Sequence, residues 1–265
     1  LDAKTGGLHR SDLLILAGRP GMGKTALATK IAFGAARALI REAQEKGPNT
    51  MPKGVAALFS LEMSADQLAT RLLSEESRIS GDRIRRGDIS QRDFDRFVVV
   101  SREMATMPIV IDDTPAITIS ALRTRCRRLK RTRGLELVVV DYLQLMRPAA
   151  GTRPESRVLE ISMITQGLKA IAKELDIPVV ALSQLNRGPE QRTDKKPMLA
   201  DLRESGAIEQ DSDLVVLVSR PDLYDKESER AGEADFDVAK HRNGPTRTVT
   251  VAFQGHYSRF VDMQR

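Results

Sequence analysis

The stretch LLILAGRPGMGKT, Leu13 to Thr25, decides the fold. Five apolar residues, Leu13–Ala17, read as a strand buried on both faces. Gly18-Arg19-Pro20-Gly21-Met22-Gly23-Lys24-Thr25 follows and matches G-x-x-x-x-G-K-[ST] at every fixed position. An Ala-rich segment with helical character comes next. Strand, glycine loop and helix in that order make a phosphate cradle. The glycines let backbone N–H groups wrap phosphate oxygens, and the helix N-terminus adds positive potential. Lys24 is placed to reach the β- and γ-phosphates, and the Thr25 hydroxyl to ligate Mg²⁺. The reading is a site for a nucleotide with Mg²⁺.

Outward from this loop, short apolar runs alternate with amphipathic stretches. Leu13–Ala17, Val55–Ser60, Ile109–Asp112, Leu137–Asp141, Val179–Ser183 and Leu214–Ser219 are the expected strands of a mostly parallel sheet. Asp235–Lys240 and Thr248–Phe253 flank Asn243-Gly244-Pro245 and predict an antiparallel hairpin at the end of the sheet. Glu155–Leu175 places Val158, Ile161, Ile164, Leu168, Ile171 and Leu175 on one helical stripe, and Ser120–Arg133 does the same with Leu122, Cys126 and Leu129. Cys126 thus reads as a core residue. Gln44–Gly54, Arg147–Pro154 and Asn186–Pro197 read as loops. The fold class is α/β, a central sheet flanked by helices, in a single domain over residues 1–265.

Composition agrees. The chain has 265 residues, 41% hydrophobic and 29% charged, which suits one substantial core. Its net charge of +6 permits a polyanionic partner without requiring one. A lone cysteine excludes an internal disulfide, and three scattered histidines offer no zinc cluster. No apolar run is long enough to span a bilayer, so no membrane partner is expected and a cytoplasmic setting is. The abrupt start at Leu1 reads as the interior of a longer chain.

Three further residues join the loop by position. Asp141 ends an apolar strand and is the candidate second Mg²⁺ anchor; alone it would read as a turn-capping Asp, but beside the glycine loop the metal anchor is the better reading. Glu62, just past the second strand, is a candidate base for the attacking water, or a first-turn helix acid with Ser64 as cap. Gln184 ends the next strand, where a neutral amide can sense a γ-phosphate or simply leave a buried strand.

Taken together, Gly18–Thr25, Phe59–Met63, VVVDYLQLM (138–146), ALSQLNR (181–187), DLRESGAIEQDSD (201–213) and KHRNGPT (240–246) resemble the RecA-like motor domain of the DnaB family of hexameric replicative DNA helicases. The resemblance covers nearly the whole chain. It implies Glu62 as catalytic base, Asp141 as metal anchor and Gln184 as the link from γ-phosphate to the DNA loops. It implies that Lys240 and Arg242 enter the neighbouring subunit's ATP site; by themselves they read as a solvated hairpin. Arg203, Glu204 and Gly206 fall where the family's central-channel loop holds single-stranded DNA, with a capped helix start as the local alternative. A homo-hexamer, single-stranded DNA and, for a full-length protein, primase and a helicase loader are the implied partners, in the bacterial nucleoid or replisome. The helical N-terminal domain and most of the linker helix are absent from this sequence. The segment around Gln44–Lys53 is longer than the family minimum. The seven cations among Arg123, Arg125, Arg127, Arg128, Lys130, Arg131 and Arg133 read as a solvated or subunit-facing helix surface rather than a DNA contact. A strand-exchange ATPase and a nucleotide-gated scaffold share the same core and are the rival readings.

Overall fold

The computed structural model describes residues 5–48, 50–149, 151, 154–202, 206–225 and 227–263. Arg203 and Glu204 therefore lie outside the described residues. Nine strands form one sheet in the order β3-β2-β4-β5-β1-β6-β7-β8-β9. Their ranges are β1 Leu13–Gly18, β2 Val55–Ser60, β3 Ile109–Asp112, β4 Leu135–Asp141, β5 Val179–Gln184, β6 Leu214–Ser219, β7 Glu233–His241, β8 Arg247–Gln254 and β9 Arg259–Val261. β3 through β6 in that order run parallel, and β7, β8 and β9 are antiparallel. β1, β2, β5 and most of β4 and β6 are buried along their length, as continuous apolar runs demand.

Helices cover both faces. α1 (Lys24–Lys46) and α2 (Ala65–Ser77) contribute Ala26, Leu27, Ala28, Ala32 and Leu68 to the core on one face. Alanines let α1 lie close on the strands. α5 (Ile119–Arg133) and α6 (Arg157–Leu175) fill the other face with Leu122, Cys126, Ile161, Ile164, Leu168 and Ile171. Between these come α3 (Gly81–Arg86) and α4 (Gln91–Ala105), and after β5 the short α7 (Gly188–Gln191) and α8 (Gly206–Asp211). Ser64, Ser80, Ser90, Thr118 and Ser156 cap helix starts with their hydroxyls.

The structure departs from the sequence reading in several places, among them α7, which falls within the expected Asn186–Pro197 loop. α1 runs on to Lys46, into the expected Gln44–Gly54 loop. Val158 is half exposed at the start of α6, so the apolar stripe begins at Ile161. The C-terminal hairpin gains a third strand, β9, whose three residues are too few to show a period. The cation-rich α5 presents an exposed surface, as expected: Arg123, Arg127, Arg128, Arg131 and Arg133 are exposed, although Arg123 and Arg127 also pair with Glu174, Arg125 with Asp112, and Lys130 donates to the Leu135 carbonyl at 2.9 Å. No helix among the described residues is long and apolar enough to cross a membrane.

Candidate nucleotide site

The carboxyl ends of β1, β2, β4 and β5 lie side by side. Gly18 pairs with Gln184 and Ser60 with Asp141. Ligands of open parallel sheets bind at such ends, where the strand order reverses. Here the chain leaves β1 for β2 on one side and later crosses to β6 on the other. The resulting cleft has a volume of about 450 Å³. Lys24, Thr25, Glu62, Asp141 and Gln184 all line it. Sheet order brings them together: β5 sits between β1 and β4, so Gln184 stands between the glycine loop and Asp141.

The loop itself is shaped for an anion. Gly21 and Gly23 have φ of +80° and +93°, which favours glycine. A Cβ on Gly23 would stand 2.7 Å from the Phe260 ring. α1 starts at Gly23 with no side-chain cap and no acidic residue in its first turn, unlike the hydroxyl-capped helices. Its first N–H groups are thus left to an outside acceptor. Lys24 Nζ donates to the Arg19 carbonyl at 3.0 Å, folded over the loop it belongs to. Burial holds the Lys24 ammonium down at about 8, partly offset by the carboxylates of Asp141 and Glu62. Burial likewise raises Asp141, against a hydrogen bond with Thr25. A desolvated lysine beside two carboxylates could hold a polyanion together with a divalent cation. Among the described residues no cluster of three or more His, Cys, Asp or Glu could cage a metal alone. Thr25 and Asp141 are the residues that could hold Mg²⁺, which takes one or two protein oxygens and completes its shell with phosphate and water.

Not every loop side chain faces the cleft. The Arg19 guanidinium donates to Glu190 of α7 at 2.7 Å and to the Leu185 carbonyl at 2.9 Å. Met22 is buried in the core. Only the backbone of these two can serve a phosphate. Glu62 precedes the Ser64 cap, and Asp66 is the first-turn acid of α2. The structure thus separates Glu62 from the helix start and points it to the cleft.

Several residues in and around the cleft were given no role by the sequence reading. Arg71 of α2 reaches the cleft, and burial lowers its pKa against the pull of Asp141 and Glu75. Its position two turns into α2 gave no motif to read. Arg220 lies 3.9 Å over the Phe253 ring and pairs with Asp222 at 2.8 Å. Phe260 packs edge-on to Phe236 and tilted on Phe253. Gln144 fixes the end of β5, donating to Ser183 Oγ at 2.9 Å and accepting from the Gln184 N–H at 3.3 Å.

Lys240 and Arg242 are not in this cleft. Lys240 pairs with Val215, His241 with Leu214, and the Arg242 N–H donates to the Asp213 carbonyl at 2.8 Å. Leu214 pairs with Leu14 near the start of β1. The two cations therefore sit toward the amino end of the parallel strands, Lys240 level with Ile15 and Arg242 level with Leu13, roughly 10 Å and 16 Å before Gly18 along the strand at about 3.3 Å per residue. Lys240 Nζ donates to the carbonyls of Glu209 and, at 2.7 Å, Ser212; Arg242 pairs with Asp213 at 3.2 Å. Gly206 is exposed at the start of α8.

Residues 1–262 match the model of the DnaB-like helicase C terminal domain. The chain belongs to this family. It is 49% identical over 263 residues to the replicative DNA helicase DnaB of Leifsonia xyli subsp. xyli (strain CTCB07), covering 99% of this chain and 54% of that protein. It is 44% identical over 265 residues to the replicative DNA helicase DnaB of Geobacillus stearothermophilus, covering 100% of this chain and 55% of that protein. The chain spans about half the length of these relatives. Among solved structures, that of an ATPase domain superposes with a TM-score of 0.88 at 37% identity, covering 99% of this chain and 88% of that chain. A DnaB-like replicative helicase, studied with its interactions with primase, gives 0.87 at 38% identity, covering 99% and 60%.

Proposed function

We propose that this chain is the ATP-hydrolysing motor domain, residues 1–265, of a hexameric replicative DNA helicase that moves along single-stranded DNA. One observation carries the reading. The cleft gathers Lys24, Thr25, Glu62, Asp141 and Gln184, while Lys240 and Arg242 stand at the far end of the same sheet. The two cations stand away from their own cleft, which supports a site completed by a second copy.

The glycine loop from Gly18 to Thr25 and Lys24 hold the phosphates of ATP. Thr25 and Asp141 would hold Mg²⁺, which neutralises charge on the phosphate oxygens. Glu62 accepts a proton from the attacking water, and Gln184 orients it. Arg242 of the adjacent subunit, with Lys240, meets the charge that develops on the transferred phosphoryl group. Such a finger is worth roughly 10³–10⁵ in rate.

Coupling to DNA has a physical route. Two residues past Gln184, the Asn186 N–H donates to the Asp201 carbonyl at 2.9 Å, and Leu185 bridges Leu202. Arg203, Glu204 and Gly206 follow directly and would hold the DNA backbone, independent of sequence and weakened by salt. Primase and a loader are partners expected of the whole protein, in the bacterial cytoplasm.

The test is steady-state ATPase with and without single-stranded DNA across concentrations that span assembly. Turnover that rises with both supports a shared, DNA-coupled site. Turnover flat in both sinks the motor reading and leaves a nucleotide-binding scaffold. A second check mixes Arg242→Ala with wild-type subunits; unaffected turnover would overturn the finger assignment.

A further inference from the structure

We infer that His241, seated on Gly244, is the positioning residue that aims Arg242 at the neighbouring subunit; the inference rests on the shared-site reading above. The hairpin ladder stops early. Val238 with Arg247 is the last β7–β8 pair, so Ala239 to Thr246 project beyond it. One limb of this projection is tied to β6 through Lys240 and His241. The return limb has no ladder partner.

Two local devices fix its shape. The first is a β-bulge. Val215 pairs with Lys240 but Val216 with Val238, so Ala239 is the extra residue. Strict alternation would send Lys240 to the α1 face with Phe236 and Val238. The bulge re-aims it to the α6–α8 face, where it caps α8, and Arg242 follows to Asp213. His241 is thereby turned to the opposite face, beside Leu14 and Leu214.

The second device is the ring itself. A Cβ on Gly244 would stand 2.5 Å from His241 Nδ1, so the imidazole rests directly on the turn's backbone. This contact pins the return limb. His241 Nδ1 is buried and has no hydrogen-bond partner among the described residues. Packing, and not hydrogen bonding through that atom, seats the ring there. The cavity beside it holds only about 10 Å³, room for one water at most, so it is no ligand site.

The test uses the full-length, ring-forming protein. His241→Ala is expected to lower DNA-stimulated kcat by about tenfold to a hundredfold with KM for ATP unchanged, because an error near 1 Å costs up to about 10² in rate. Mixing it with Lys24→Ala subunits, inactive but bearing an intact Arg242, is expected to restore turnover at the His241→Ala sites. A folding defect would not be restored. Gly244→Ala, which drives a methyl into the ring, is the second variant and is expected to behave alike. The double variant should be no worse than the worse single. Wild-type turnover in both single variants overturns the inference. So does a loss that Lys24→Ala subunits fail to restore although they restore Arg242→Ala. If Arg242→Ala is not restored either, the shared-site reading itself has failed.

Discussion

Arg192 grips Asp201 with two parallel hydrogen bonds, Nη1 to Oδ2 at 2.7 Å and Nη2 to Oδ1 at 2.5 Å. Asp201 is almost wholly buried and also accepts from the Met198 N–H at 2.7 Å. A fork-to-fork pair of this kind fixes geometry as well as charge. It welds the loop after Gln184 to the segment that leads into Arg203. Arg192→Ala is expected to retain basal ATPase and to lose its stimulation by single-stranded DNA. Comparing turnover with and without DNA checks this; stimulation equal to wild type would remove the clasp from the coupling route.

Lys24 gives a pH signature. Without a phosphate its ammonium is held down at about 8 by burial. A bound triphosphate favours the charged form, so binding raises that pKa. Near pH 8 nucleotide binding therefore takes up a proton, and at pH 7 almost none. Above pH 8 affinity falls by up to about tenfold per unit. Calorimetry in buffers of different ionisation enthalpy, between pH 7 and 9, reads both effects. Binding with no proton uptake at pH 8 would contradict the assignment.

Glu62→Gln keeps shape and removes the carboxylate proposed as the base. Nucleotide affinity is expected to hold while single-turnover hydrolysis drops by about 10²–10⁴. An equal loss in both would make Glu62 a binding residue instead.

Gly23 has φ of +93° and faces the Phe260 ring, 2.7 Å from where a Cβ would sit. Gly23→Ala should cost about 1–3 kcal/mol and abolish nucleotide binding. Adding Phe260→Leu removes the clash but not the backbone strain. Thermal melts are expected to show partial recovery of Tm, with binding still lost.

Cys126 is fully buried, and burial pushes its thiol up to about 12. A disulfide reagent at pH 8 is expected to leave it unmodified until denaturant is added. Rapid labelling of the folded chain would contradict its place between α5 and the sheet.

Much of this molecule was legible in its sequence. Gly18–Thr25 is contiguous, and its glycines, lysine and threonine each answer a local demand of phosphate chemistry. Apolar runs marked β1, β2, β4, β5 and β6 because a strand covered on both faces has no polar side to show; the edge strand β3, partly buried throughout, was read from its short apolar run. Asp141 and Gln184 were readable as the residues that leave such runs. These are signals carried within a few residues.

The tertiary structure decided what depends on sheet order. Periodicity reports burial, not neighbours, so nothing local says that β5 lies between β1 and β4 and sets Gln184 between Gly18 and Asp141. Glu62 had two local readings, and the Ser64 cap settled only its place outside α2; the cleft gave it a direction. Arg71, Arg220 and Phe253 reach the site across long chain separations and share no motif. Lys240 points to α8 because one extra residue, Ala239, breaks the alternation that the sequence alone would have predicted. Local chemistry is written along the chain, whereas the meeting of distant side chains is settled by which strands pair, and in what register.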